Sequence, residues 1–267
     1  RLEKIGWVKL VLDRAIPSNV KFINVTISKD LVGDYFVSIL VEENINFKIK
    51  SGGIVGVDVG LKYFAVLSNR MKIESPNCFR ENQFKMKRIQ QHLSRKVKGS
   101  VRFKKNKRKL AVLHRKIERQ RNYFLHNLSC YLVNNFDVIA IEDLNVAGML
   151  KNHNLAKSIQ DASWSEFFRQ LNYKAKWFGK ELRMADRFEP TSKTCNICGY
   201  INKTLMLKDR EWECSSCEVL HDRDINAGIN ILNKSAGVTT DRRTQRNCKT
   251  FSANIEDADF HEAFIIL

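Results

Sequence analysis

Although 43% of this 267-residue chain is hydrophobic, no apolar run approaches the roughly 20 residues that a helix needs to cross a bilayer. A protein built on membrane-spanning helices is therefore excluded, and no membrane partner is expected. No secretory leader, with its charged start and short apolar core, is expected either. The chain reads as cytoplasmic and, given its charge, nucleoid-associated. It opens on Arg1 rather than methionine, as expected of a piece of a longer protein. A disulfide framework is absent as well: four of the seven cysteines sit in two tight pairs, while Cys78, Cys130 and Cys248 follow no pairing pattern and read as packing or surface thiols. Finally, acids are nearly absent from one segment. Between Arg80 and Arg121, 17 Lys and Arg stand against Glu81 and Glu118, a surplus of 15 within a net charge of +17. Solvated helix faces ordinarily alternate both signs. A surface this one-sided asks for a polyanion, and nucleic acid is the default partner.

At this length the chain can bury a full core and hold one large domain or two. The stretch around which it is organised is Ile54-Val55-Gly56-Val57-Asp58-Val59-Gly60, in which four β-branched residues fall within six positions. Such a run reads as a strand buried on both faces. A lone aspartate at a strand end is ordinarily a turn cap, but an unpaired charge inside a buried strand is costly. A second strand, Val138-Ile139-Ala140-Ile141-Glu142, also closes on a carboxylate, and a third acid opens the helical stretch from Asp224 to Leu232. Two strand-borne acids and one helix-borne acid make a donor set suited to Mg²⁺. Asp222 and Asp224 compete for the third place. Asp222 is the better N-cap, and Asp224, in the first turn, is favoured as the ligand.

Residues 1–50 alternate in the manner of half-buried antiparallel strands, at 7–12, 21–27 and 35–41, with Asp30 and Gly33-Asp34 supplying a turn between the last two. Gly60 turns the Asp58 strand back into a hairpin partner over 63–68. The basic segment follows as two helices parted at Lys98-Gly99-Ser100. In the second, which starts at about Lys107, Leu110, Leu113, Ile117, Phe124, Leu128 and Leu132 recur three or four apart for the most part and should dock it. Lys104, Lys105, Lys107, Arg108, Arg115 and Arg119 are left to face solvent and phosphate. After the Glu142 strand, Ser163 and Glu166 are placed for a capping box. Trp164, Phe167, Phe168, Leu171 and Phe178 form the apolar stripe of the helix behind it, and 181–187 reads as a further strand.

Cys195 and Cys198 are separated from Cys214 and Cys217 by fifteen residues. This is the spacing of a four-thiolate structural zinc site, in which two tight turns each deliver two sulfurs. Gly199 suits the first turn, whereas Glu218 stands where the second commonly has glycine. With four protein ligands there is no open position, so such a Zn²⁺ folds the chain and does not catalyse. His221 reads as a loop residue.

These motifs in this order resemble the OrfB/TnpB family. The order runs Gly-Val-Asp58-Val-Gly-Leu-Lys, Ile-Glu142-Asp-Leu-Asn-Val, Ser-Lys-Thr-Cys195, then Asp-Arg-Asp224-Ile-Asn-Ala, with 151–159 and 209–212 also familial in look. The likeness covers roughly residues 5–234. Gly228 departs from it by replacing a usual alanine, at about 1 kcal/mol to the helix, and Glu189 by replacing an aromatic. The resemblance implies a RuvC-like, RNase H-like α/β domain with a mixed sheet and an inserted four-cysteine zinc ribbon, preceded by a partial antiparallel β domain. In that layout 1–50 is the partial, wedge-like β domain and 51–190 the nuclease domain, with a basic helical hairpin at 80–135. Residues 191–219 are then the ribbon, 220–234 the last nuclease helix, and 235–267 a tail without fixed structure. It further implies a transposon-associated DNA endonuclease, in older descriptions a transposase, guided by RNA. Asp58, Glu142 and Asp224 would then hold two Mg²⁺ ions for phosphodiester hydrolysis. Two other readings compete: an inactive nucleic-acid-binding relative, and a DNA strand-transfer transposase.

Overall fold

The computed structural model describes residues 6–11, 16, 20–42, 52–187, 189–206, 208–235 and, as backbone, 260–265. In chain order the elements are β1 (Lys21–Lys29), β2 (Tyr35–Glu42), β3 (Ile54–Val59), β4 (Tyr63–Leu67), β5 (Lys72–Glu74), α1 (Cys78–Ser94) and α2 (Val101–Asn135). They continue with β6 (Val138–Glu142), α3 (Val146–Met149), α4 (Ala156–Ala162), α5 (Trp164–Trp177), β7 (Glu181–Ala185), β8 (Glu211–Glu213), β9 (Leu220–Asp222), α6 (Arg223–Ser235) and β10 (Phe260–Ile265). The chain divides into two compact units. One comprises 1–46, 84–116 and 253–267, the other 47–83 and 117–252.

The first unit carries an antiparallel sheet in the order β1-β2-β10. The Asp30 carboxylate makes its turn by accepting the N–H groups of Val32, Gly33 and Asp34 at 2.8–2.9 Å. Three expectations change here. Residues 7–11 form no strand, Trp7, Val8 and Val11 are exposed, and Leu12 lies outside the described residues; among the described residues nothing pairs with 7–11, and alternation alone does not make a strand. β1 is exposed along its whole length rather than half-buried, because it is an edge and, among the described residues, no layer covers it. Of the tail expected to lack fixed structure, 260–265 supply the third strand, while 236–259 lie outside the described residues. β2, in the middle, buries Ile39 and Val41 against Ile16, Val20 and Val37.

The basic helices part at Gly99, whose φ of +83° suits glycine. Ser100 then caps α2 by accepting the N–H of Phe103 at 3.1 Å, so that helix begins at Val101, a turn and a half before the expected start. No helix among the described residues is long and apolar enough to cross a membrane.

The second unit is built on a five-stranded mixed sheet, β5-β4-β3-β6-β7, with β3–β6 and β6–β7 parallel and the other pairs antiparallel. The pleat sorts its two faces. Val55, Val57, Ile139 and Ile141 point to one side, into a core with Leu125, Leu132, Phe167 and Leu171 of α2 and α5. Ala140 and Ala185 point to the other, against Ile231 and Leu232 of α6. Gly56 shares that second face, and a Cβ there would lie 2.0 Å from the Gly228 carbonyl oxygen, so sheet and helix touch backbone to backbone. Gly228 is explained by the same approach: its own Cβ would meet the Ser68 nitrogen at 3.2 Å and the Val66 oxygen at 3.3 Å.

The capping box expected at Ser163 does not form. Ser163 takes a left-handed conformation (φ +55°) that closes α4 and opens α5 at one residue; its hydroxyl donates to the Gln160 carbonyl. Glu166 instead turns to Arg169 and Gln170. Glu189 has an ion-pair partner, Lys234.

Candidate active site and metal centre

Asp58 lies one residue from the end of β3, and Glu142 closes β6. The parallel register pairs Gly56 with Ala140 and Val57 with Ile141, so the next step sets Asp58 beside Glu142. Side chains repeat every second residue, and Asp58 therefore shares the face of Gly56, and Glu142 that of Ala140. That is the face α6 covers. On α6, Asp224 lies one turn before Gly228, the residue that meets Gly56. The fold thus directs all three carboxylates to one end of one sheet–helix interface.

Their electrostatics agree with this placement. Burial first, then the neighbouring Glu142 and Asp224, push the Asp58 carboxyl well above the ordinary carboxylate range, against the pull of Arg223 and Arg210. Burial raises Glu142 too, offset by a hydrogen bond from the Thr191 hydroxyl at 3.4 Å and reinforced by Asp143. Arg210 places one guanidinium nitrogen 3.3 and 3.4 Å from the two Asp224 oxygens. Three acids driven together at a half-buried strand end would be relieved by a divalent cation, and their all-oxygen donor set fits Mg²⁺.

The N-terminus of α6 is fixed from outside. Asp222 accepts the N–H groups of Asp224 and Ile225 at 3.1 Å, acting as the N-cap its position suggests. Its other oxygen takes Lys72 of β5 at 2.5 Å.

The four expected cysteines come together, all four sulfurs lying within 4.8 Å of one another. The separations of 3.7 Å for Cys195–Cys217 and 3.5 Å for Cys198–Cys214 match the edges of a tetrahedron with Zn–S bonds of about 2.3 Å. Each pair sits in the same turn. Gly199 donates to the Cys195 carbonyl at 3.0 Å and Glu218 to that of Cys214 at 2.8 Å. Both residues are left-handed, with φ of +78° and +57°, so Glu218 adopts the conformation that glycine would take without strain. The Tyr200 N–H, with the other thiols, brings Cys198 down to about 6, so a thiolate is at hand near neutral pH. His221 is not a loop residue. It is buried in β9 with Nε2 3.1 Å from the Cys195 sulfur and its ring against Trp212, and burial lowers its pKa.

Of the six basic residues expected on the nucleic-acid face, Lys104, Lys105, Lys107, Arg108 and Arg119 are exposed on α2. Arg115 is not available as expected. Its guanidinium is half-buried and paired with Asp30, at 2.6 Å, and with Asp34. Only the fold could bring a turn some eighty residues distant onto it. The residues that sequence reasoning passed over are those that reach the acids and the helix cap from elsewhere in the chain: Arg210 at Asp224, Thr191 at Glu142 and Lys72 at Asp222.

A mixed sheet with acids at adjacent strand ends, and a four-thiol module entering just before the last helix, fits a RuvC-like fold with a zinc ribbon. The comparisons with known proteins agree. Residues 38–153 match the family model OrfB_IS605, described as a probable transposase, and 164–231 match the Cas12f1-like TNB domain. A protein of Streptomyces pristinaespiralis named "Putative RNA-guided DNA endonuclease" is 42% identical over 82% of this chain and 54% of its own. "Putative RNA-guided DNA endonuclease InsQ" of Escherichia coli K12 is 34% identical over 86% of this chain and 60% of its own. A chain of the "Cryo-EM structure of the Cas12f1-sgRNA-target DNA complex" superposes with a TM-score of 0.51 at 20% identity, over 83% of this chain and 69% of that one. That last likeness is one of fold. The chain belongs to the OrfB/TnpB family. It spans little more than half the length of these two curated relatives.

Proposed function

We propose that the protein carrying this chain is an RNA-guided DNA endonuclease. The observation that carries the reading is the β3–β6 register, which puts Asp58 and Glu142 side by side on the face covered by α6, with Asp224 one turn from the helix's closest contact. The names of the relatives supply the substrate and guide classes, DNA and RNA.

Asp58, Glu142 and Asp224 are assigned as the ligands of two Mg²⁺ ions, which when bound supply an activated water and charge stabilisation at the leaving oxygen. The chain's own groups do the rest. The three carboxylates act as ligands rather than proton shuttles. Asp222 and Lys72 hold the start of α6, and so fix where Asp224 stands. Arg210, at the edge of the site, brings positive charge to a phosphate that approaches the acids. Cys195, Cys198, Cys214 and Cys217 are assigned to one structural Zn²⁺ that holds the ribbon, 191–219, beside the site. The exposed row Lys104, Lys105, Lys107, Arg108 and Arg119 is assigned to phosphate contacts, with Arg115 kept for the Asp30 turn.

The test is cleavage by the complete protein, purified with its co-expressed RNA, on plasmids bearing a randomised flank and a matched target. Asp58→Asn, Glu142→Gln and Asp224→Asn should each lower the rate by at least about 10³-fold while RNA and DNA binding persist. Cleavage that survives any of the three would place the chemistry elsewhere.

A further inference from the structure

Glu142 differs from the other two acids in how it is held. Asp224 has Arg210, and its helix has the Asp222 cap. Among the described residues, the side-chain donor to Glu142 is the Thr191 hydroxyl, from the loop that leads into the ribbon. Thr191 is only 5% exposed, and its own position is fixed from α6.

Asn226 and Asn230, one turn apart and 2% and 3% exposed, aim their amide nitrogens at the same two carbonyls. Asn226 donates to Thr191 at 3.4 Å and to Thr194 at 2.8 Å, Asn230 to the same pair at 2.8 and 2.6 Å. The Asn226 oxygen accepts the Asn196 N–H at 3.0 Å, inside the first cysteine turn. Each amide thus uses both its hydrogens on the loop, and each carbonyl takes two donors. A buried polar network in which both amide NH2 groups and both loop carbonyls are paired defines one geometry, because any slip strands a buried carbonyl. The helix that carries Asp224 therefore also holds the hydroxyl that meets Glu142.

We propose that Thr191 is a positioning residue for Glu142, held in place by Asn226 and Asn230, so that α6 sets the second acid as well as the third. This rests on the reading of the three acids as a divalent-metal site. The hydroxyl fixes which way the carboxylate turns, and groups that orient a ligand in this way typically change metal affinity by 10–100-fold when removed.

The probe is Mn²⁺, titrated by calorimetry and by loss of its free-ion paramagnetic resonance signal, on the zinc-loaded full chain. Zinc content and thermal midpoint serve as fold controls. Thr191→Val, which keeps shape and removes the hydroxyl, should weaken Mn²⁺ binding about 10-fold, and Thr191→Ser should stay within about twofold of the parent. Asn230→Leu should weaken it similarly with zinc retained; if that variant does not fold, the Thr191 pair decides. Mn²⁺ binding unchanged in Thr191→Val, or weakened equally by Val and Ser, overturns the inference. The two readings separate through Asp58→Asn. If it abolishes binding while Thr191→Val does not weaken it, only the positioning role is lost. If the parent binds no Mn²⁺, or Asp58→Asn leaves binding intact, the acid-site reading falls and the positioning role with it.

Discussion

Only six residues lie between Cys217 and Asp224, yet the groups they belong to are assembled in opposite ways. The four thiols come from two short turns within 23 residues, each turn fixed by its own backbone hydrogen bonds and a left-handed residue at the same place. The three carboxylates come from positions 58, 142 and 224, and nothing local brings them together. They meet because β3 and β6 are parallel neighbours and α6 lies on the correct face. A locally built centre would gather the zinc proposed for it through its own turns and in doing so fold itself. A centre assembled by the fold can be only as well formed as the packing beneath it.

The largest expected effect comes from removing the local centre's metal. Structural zinc sites bind with an apparent 10–16 kcal/mol at neutral pH. Chelation, or Cys195→Ser, should therefore unfold the ribbon, read as new proteolytic cleavage within 191–219. The five-stranded sheet should keep its far-ultraviolet dichroism. Collapse of the sheet together with the ribbon would mean that the two centres are not built independently.

Next in size is an attack on the packing beneath the acids. Gly56→Ala drives a methyl group to within 2.0 Å of the Gly228 oxygen. Overpacking of this kind should cost about 3 kcal/mol or more, seen as a fall in the denaturation midpoint, and Mn²⁺ affinity should fall with it. The thiols should still take up one zinc. Gly56→Ala with parental stability would show that α6 does not bear on β3 as closely as described.

Smaller, and opposite in sign, is the removal of charge from the acids. The folded-state carboxyl of Asp58 lies above its ordinary 3.8, so its ionisation opposes folding. The penalty is absent below the ordinary value, grows as pH rises toward the folded one, and is fully present above it. In chelator at pH 7, Asp58→Asn should be more stable than the parent, and the gain should shrink as the pH falls toward 4. A gain that persists at pH 4 would point to packing rather than charge.

The smallest effect lies within the local centre. Glu218→Gly removes a left-handed side chain from the second cysteine turn and should stabilise the zinc-loaded ribbon by about 1 kcal/mol. Gly199→Ala at the matching position should destabilise it by a similar amount. Equal responses of opposite sign would show that the two turns are energetically alike.

What could be read from the chain alone follows the same division. Both cysteine pairs, the turn at Asp30, the helix break at Gly99 and the Asp222 cap are signalled by residues within a few positions of one another. The placing of Asp58 and Glu142 on buried strands was legible because β-branched runs announce themselves. Other features depend on which distant segment arrives. The pairing of β10 with β2, the capture of Arg115 by Asp30 and Asp34, and the meeting of His221 with Cys195 have no local signature. Ser163 is a different failure: its neighbours spell a capping box, but a helix on its other side claims the residue first, and one left-handed position serves both.

The backbone contact of Gly56 with Gly228 also works as a ruler. From that contact the chain reaches Asp58 in two strand residues, about 6.6 Å, and Asp224 in four helical residues, about 6 Å. The two paths are nearly equal in length. Inserting or deleting one residue between Asp224 and Gly228 would swing the acid by about 100° around the helix, and one between Gly56 and Asp58 would turn it through the sheet. Two intervals, Gly-x-Asp on the strand and Asp-x-x-x-Gly on the helix, thus form a spacing rule that can be checked in any related sequence before its structure is known.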